Sequence, residues 1–161
     1  NRKGRDIFRS KTVMAAGDSK IFNDFALKLA KGFYNLASDD FAISFIATAY
    51  GSVNSNAPNP DITDYTPLTG GNFVAATTLA STAITRAGAA LKFDFADLAT
   101  IAKAAGNPAT IKTALIKHTV TGDLYKAIDL TADGGTTAID VVNNDFDYTV
   151  NAAGSFTQAV A

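Results

Sequence analysis

The chain has 161 residues, of which 47% are hydrophobic and 18% are charged, and this composition is typical of a globular domain. It has no cysteine, which excludes disulfides, thiolate metal sites and cysteine nucleophiles. All 15 acidic residues are aspartate, and there is one histidine. Because aspartate favours turns and caps over exposed helix faces, we expect a β-rich domain with many loops and few groups suited to catalysis.

The net charge of −1 conceals a separation of charge along the chain. Five basic residues precede position 14, against one aspartate, whereas the remainder holds nine basic residues against fourteen aspartates. No apolar run is long enough to span a membrane, and none follows the basic start as it would in a secretory signal. We therefore predict that residues 1–18 are a basic N-terminal arm and that residues 19–161 are a single domain. The partner-binding residues expected in the arm are Arg2, Lys3, Arg5, Arg9 and Lys11.

The arm suits either a polyanion or an acidic protein surface as its partner. Aromatic residues do not alternate with the basic ones, and the rest of the chain is acidic, which disfavours nucleic acid. We expect the arm to dock on a protein surface, and a solvated tail is the alternative.

A helix is predicted over residues 19–31. Asp18 and Ser19 are good N-cap residues, and Gly32 is a common helix terminator. Apolar residues recur between them at spacings of three and four, which is the helical period. These residues are Ile21, Phe22, Phe25, Leu29 and Phe33.

Alternating patterns predict seven or eight short strands, which is typical of an antiparallel β-sandwich of the jelly-roll type. Phe93 and Phe95 fall on one face of their strand, whereas Lys92 and Asp94 fall on the other. The predicted strands cover residues 41–48, 73–85, 90–95, 110–118, 124–130, 137–142, 146–150 and 155–160.

An alanine-rich run over residues 96–105, followed by Gly106 and Pro108, predicts a second short helix. The proline-rich stretch over residues 51–72 is predicted to be a long surface loop. The predicted core joins the helix stripe to the inward-facing residues of the strands. Its members are Phe22, Phe25, Leu29, Phe41, Phe45, Phe93, Phe95, Phe146 and Tyr148.

His118, next to Lys117 at a strand end, is the sole candidate for an imidazole base. A triad with a serine or threonine and an aspartate stays open, but no nucleophile signature accompanies the histidine. We therefore interpret it as a structural residue and predict no catalytic residue and no cofactor.

Aspartate pairs occur at 39/40, 61/64, 94/97 and 145/147, and paired carboxylates can share calcium or flank a glycosidic bond. The nearest approach to a calcium ligand set is Asn143, Asp145 and Asp147, but the EF-hand pattern is missing. Turn and cap roles are the expected ones, so we predict no metal site. Gly70 and Gly71 open a strand and not a helix, which predicts a tight turn and not a phosphate loop.

Five blocks of the sequence resemble a family of small bacteriophage virion structural proteins. They are FNDFALKLAKGFYNLASDDFAISFIATAY (22–50), LTGGNFVAATTLAS (68–81), LKFDFADL (91–98), ATIKTALIKHTVTGDLYKAIDL (109–130) and NNDFDYTVNAAGSFT (143–157). These motifs are structural, so the resemblance implies a role in the architecture of a phage particle, on the head or the tail. Residues 1–18 and the alanine-rich segment 96–108 depart from the family pattern.

The function that the resemblance implies is that of a non-enzymatic capsid decoration (cement) protein located in the virion. Such a protein forms homo-oligomers and binds the major capsid protein, here through the arm, and gains avidity by repeating a weak contact over a lattice. One alternative is a tail, neck or fibre-attachment component. Another is a carbohydrate-binding adhesin that uses loop 51–72, with Tyr50 and Tyr65 as its candidate face.

Overall fold

The structure is a computed structural model that describes residues 18–87, 90–131, 133–149 and 156–159. This part of the chain is mainly β, with two antiparallel sheets and one α-helix, so the predicted sandwich-like fold is confirmed. The elements in chain order are β1 (Ser19–Ile21), α1 (Asn23–Ala30), β2 (Phe41–Ile46), β3 (Thr77–Leu79), β4 (Ser81–Ala87), β5 (Ala90–Phe95), β6 (Thr113–His118), β7 (Leu124–Asp129) and β8 (Phe156–Ala159).

The larger sheet has the strand order β1-β7-β6-β2-β3, and the smaller sheet has the order β4-β5-β8. The chain passes from one sheet to the other between β3 and β4, which only Ala80 separates. A register shift follows this change of sheet, between Ser81 and Ala83. Bends and bulges of this kind are how strands turn the corner of a sandwich.

The predicted helix 19–31 begins later than expected. Residues Ser19–Ile21 form the edge strand β1, and Ile21 lies opposite Lys126 of β7. Phe22 occupies the N-cap position without a side-chain cap, and its backbone N–H donates to Tyr125 O at 3.0 Å. The prediction of the start was wrong because pairing with a distant strand satisfies more backbone groups than one additional helical turn. The helix end agrees with the prediction, since Gly32 adopts a φ of 77° just beyond it.

Three other predicted elements are absent from the described residues. Residues 96–105 form no helix, because Ile101 makes a reciprocal backbone bridge with Phe146 and the N–H of Leu98 donates to Tyr148 O. Tertiary hydrogen bonds have overridden the helix propensity of alanine. The described residues of 137–142 and 146–150 form turns and irregular chain instead of strands.

The two sheets meet through aromatic side chains. Phe93 and Phe95 of β5 both point at Phe41 of β2, with ring centroids 5.7 and 5.6 Å apart from it. This is the face that the alternation in β5 predicts. Eight of the nine predicted core residues are buried, and Leu29 is partly buried against the same cluster. The last member of the predicted helix stripe, Phe33, lies beyond the helix and is exposed.

Replacing Phe93 by alanine should lower the free energy of unfolding by about 3–5 kcal/mol, because the side chain is only 2% exposed and its loss leaves a cavity between the sheets. Urea titration measures the change. Phe33→Ala is the matched control and should change the value by less than about 0.5 kcal/mol, since Phe33 is 70% exposed. Equal losses in the two variants would contradict this arrangement of the core.

Candidate functional site

The five basic residues predicted to bind a partner, Arg2, Lys3, Arg5, Arg9 and Lys11, lie outside the described residues. The other sequence-derived candidates lie within them: His118, the aspartate pairs, the glycine pair and loop 51–72. His118 belongs to a polar cluster at the turn between β6 and β7.

His118 ends β6 and is 6% exposed. Its imidazole packs edge-on against Phe41, with centroids 5.7 Å apart, and lies 5.1 Å from the ring of Tyr34. Tyr34 in turn stacks on Phe25 of α1 at 4.5 Å. A buried imidazole needs hydrogen-bond partners, and the turn that follows β6 provides them.

The backbone N–H of Thr121 donates to His118 Nδ1 at 3.2 Å. This bond makes Nδ1 an acceptor, so in the neutral ring the proton is on Nε2, which faces Asp39 Oδ2 at 3.5 Å. The hydroxyl of Thr121 lies 2.9 Å from Nδ1 and donates to Asp123 Oδ2 at 2.7 Å. Thr121, His118 and Asp39 thus lie in the order of a hydrolytic triad, with the imidazole between the hydroxyl and the carboxylate.

The hydrogen bonds of this arrangement serve the turn. Asp123, and not the histidine, accepts the hydroxyl proton of Thr121, and a backbone N–H occupies the Nδ1 lone pair that would act as a general base. Two main-chain bonds also close the turn, from His118 N–H to Asp123 O and from Gly122 N–H to His118 O. This geometry supports the structural interpretation of His118.

Asp123 is the centre of the cluster. Its Oδ1 accepts from Lys28 Nζ at 2.9 Å, and its Oδ2 accepts from the hydroxyls of Tyr34 and Thr121. Burial alone would raise the pKa of Asp123, but the bonds from Tyr34, Lys28 and Thr121 outweigh it and hold the pKa below its usual range. Burial and the bond to Asp123 raise the pKa of the Tyr34 hydroxyl.

This cluster was not predicted from the sequence. Thr121, Gly122 and Asp123 after a strand are a local turn signal, but Lys28 and Tyr34 lie 95 and 89 positions away from Asp123. Only the tertiary fold brings helix α1 and the following segment against the β6–β7 turn. The cluster therefore ties three separate parts of the chain together at one end of the larger sheet.

The pair Asp61 and Asp64 has the expected turn and cap role, whereas the pair Asp145 and Asp147 binds a distant loop. Asp61 and Asp64 form a reciprocal capping box around a 3₁₀ turn. Asp145 accepts the backbone N–H of Lys103 at 2.9 Å, and Asp147 accepts from the hydroxyl of Thr100. Within the described part of the chain, no group of three or more histidine and acidic residues is placed to hold a metal ion.

Gly70 and Gly71 form the predicted tight turn, which backbone bonds between Gly70 and Phe73 close in both directions. Gly71 has a φ of 54°, and a Cβ there would lie 2.4 Å from Asn107 Oδ1. This close approach accounts for the glycine.

Asn107 is buried and connects three loops. Its Oδ1 accepts from the N–H of Asn72 at 2.9 Å, and its Nδ2 donates to Ala102 O at 3.0 Å and to Val141 O at 2.9 Å. The partners of Asn107 in these three bonds are main-chain groups, and the Asn72 side chain adds a further bond to Ala102 O at 2.9 Å. Asn107 thus holds together the segments that replace the predicted helix and strand.

The predicted surface loop 51–72 lies in the β2–β3 loop, residues 47–76, which covers the second face of the larger sheet. Three side chains on that face donate to loop carbonyls: Ser44 to Ala75 at 2.7 Å, Thr113 to Thr48 at 2.7 Å, and Lys20 to Tyr50 and Val53 at 2.9 and 2.6 Å. The Lys20 ammonium also lies 4.5 Å from the ring centroid of Tyr50, and burial lowers its pKa. Because the loop covers this second face of the sheet, the β2 residues on both faces are buried.

No helix among the described residues has the length and apolar character that crossing a membrane requires.

Asp123→Asn should lower the free energy of unfolding by about 1–3 kcal/mol near neutral pH, because it removes the charge that accepts from Lys28 and two hydroxyls. The folded pKa of Asp123 lies below the unfolded value, so its contribution is present above about pH 4 and disappears as the pH falls through the folded pKa. The difference in the free energy of unfolding between wild type and variant should therefore become smaller as the pH falls. Urea titrations at several pH values measure it.

Asp40→Asn is the control for this experiment, since Asp40 is exposed and only its backbone carbonyl, which the substitution preserves, receives a bond from Thr119. A difference for Asp123→Asn that stays constant down to about pH 2 would contradict the assigned role of the carboxylate.

Asn107→Ala should cost at least about 2 kcal/mol of stability, because each buried polar group left without a partner costs about 1–3 kcal/mol. Asn144→Ala should cost less than about 0.5 kcal/mol, since Asn144 is exposed and makes one bond to Asp140 O. Thermal unfolding followed by circular dichroism compares the two. Similar melting temperatures for both variants would contradict the connecting role of Asn107.

Comparison with family models, curated proteins and solved structures finds no match to this chain.

Proposed function

We propose that this protein is a non-enzymatic structural protein of a bacteriophage particle, and specifically a capsid decoration (cement) protein. Its attachment uses the basic arm, and its partners are the major capsid protein and further copies of itself. The five sequence blocks that resemble phage virion proteins support this proposal. The sandwich-like fold is compatible with it.

The observation that supports a non-enzymatic role is that the side chains of the triad-like group bind one another and the turn that carries them. His118, Thr121 and Asp123 bind one another and the backbone of a turn, and Lys28 and Tyr34 complete the set. Among the described residues, every buried side-chain nitrogen or oxygen has a hydrogen-bond partner. Groups committed in this way stabilise the fold, so the groups available to a partner are those of the surface.

The separation of charge supports attachment through the arm. Residues 1–13 hold five basic residues and one aspartate, whereas the rest of the chain has a balance of −5. Three of the five basic residues are arginines, whose planar guanidinium can pair a carboxylate through two bonds. Individual exposed pairs contribute about 0.2–1 kcal/mol, so several must act together and over many copies.

Deletion of residues 1–13 should leave the melting temperature nearly unchanged and should weaken binding to phage heads stripped of this protein. Binding of the intact chain should itself weaken as salt rises, because screening reduces attraction between exposed charges. Co-sedimentation with the heads measures both effects. The triple variant Arg2→Gln, Arg5→Gln and Arg9→Gln should reproduce the loss at constant length, whereas Lys103→Gln, an exposed change elsewhere, should not.

Equal binding by the intact and the truncated chains would contradict attachment through the arm. Imaging of intact particles tests the location independently. Many copies over the head agree with a decoration protein, and a few copies at one vertex would indicate the tail or neck instead.

A further inference from the structure

Three large apolar side chains are exposed at the end of the molecule where the Asp123 cluster lies. Leu27 is 51% exposed, Phe33 is 70% exposed and Val120 is 85% exposed. Phe33 and Val120 are the chain neighbours of Tyr34 and Thr121, which both donate to Asp123 Oδ2. Leu27 precedes Lys28, which binds the other oxygen of that carboxylate. We call these three residues the helix-end patch.

Four aspartates lie at the same end of the molecule as the helix-end patch. Asp24 lies 3.2 Å from Lys28, Asp39 lies 3.5 Å from His118, and the backbone carbonyl of Asp40 receives the N–H of Thr119. Together with Asp123 they outnumber the two lysines near the end of α1, Lys28 within it and Lys31 just after it, and Lys28 already binds two of the aspartates. The patch is therefore apolar with an acidic rim.

The described chain begins at the opposite end of the larger sheet. The carbonyl of Asp18 accepts the N–H of Asp129, the last residue of β7, at 2.8 Å. The helix-end patch lies beside the turn that precedes β7, and the six residues of β7 span about 20 Å. Because β1 is antiparallel to β7, the chain enters the sheet from the Asp129 end and runs toward the patch.

We propose that the helix-end patch binds residues 5–9 of a second copy of this chain. That segment reads Arg-Asp-Ile-Phe-Arg, so two large apolar residues lie between two arginines. Ile7 and Phe8 match the apolar centre of the patch, and Arg5 and Arg9 match its carboxylate rim. The inference rests on the proposed function, for which it names the surface that joins one copy to the next.

The positions of the helix-end patch and of the start of the sheet determine the kind of assembly. A segment that enters at one end and a patch at the other produce a head-to-tail contact, which closes into a ring or continues as a filament. Strand β1 begins at the end of the sheet that is remote from the patch of its own chain, which favours a neighbouring copy. Such an assembly would present the remaining basic residues of many arms, Arg2, Lys3 and Lys11, to a particle at once and so gain avidity.

Sedimentation velocity on the full chain tests the contact without any phage particle. We expect self-association that weakens with salt and that weakens at least about tenfold in Phe8→Ser, Phe33→Ser and Val120→Ser, because apolar anchors dominate such contacts. Val13→Ser and Val74→Ser are the controls and should associate as wild type does. Val74 is also exposed, but it follows Phe73, which packs on Phe45 at the other end of β2. Melting temperatures show whether each variant is folded.

Cross-linking distinguishes a neighbouring copy from the chain's own patch. Since the chain has no cysteine, Phe8→Cys and Val120→Cys add the only thiols. Mixing the two single variants under mild oxidation should give a disulfide-linked pair containing one of each, and Val74→Cys should not replace Val120→Cys. An intramolecular disulfide in the dilute double variant, a monomer at every concentration, or association unaffected by the patch variants would each overturn the proposal. If the full chain self-associates through the patch but does not bind phage particles, the result counts against the proposed function alone.

Discussion

The packing of Phe41 against both sheets is the interaction on which much of this structure depends. Its ring contacts Phe93 and Phe95 of the smaller sheet, Phe25 of the helix, and His118 of the adjacent strand. Burial of the histidine in this aromatic surrounding requires hydrogen-bond partners on both ring nitrogens. The turn after β6 provides one of them, and the same turn carries the carboxylate that binds the helix and Tyr34. Hydrophobic packing and the polar cluster are thus parts of one arrangement.

The features that follow from local chemistry could be predicted from the sequence. The alternation around Phe93 and Phe95 identified the inward face of β5, and the glycine at position 32 marked the end of the helix. The tight turn at Gly70 and Gly71 and the capping box of Asp61 and Asp64 also follow from short-range rules. In these cases the determining partners are a few positions apart.

The features that depend on distant partners could not be predicted. Nothing near Ser19 shows that its backbone will pair with Ile128, and without that pairing the helical period is the better interpretation. The run at 96–105 has the composition of a helix, but its main chain binds residues more than forty positions away. The polar cluster is a similar case, since its members come from helix α1, the segment after it and the β6–β7 turn, which only the completed fold brings together.

The way in which the β2–β3 loop is attached has a consequence for variation of the sequence. The side chains of Ser44, Thr113 and Lys20 belong to the sheet, and they bind carbonyl groups of the loop instead of loop side chains. Every residue type has a carbonyl group, so exposed positions of this loop can change identity without loss of the bonds that hold it. Related chains could therefore diversify this face while they keep the same framework, and foreign peptides could be displayed at Pro58, which is exposed there and whose side chain makes no hydrogen bond.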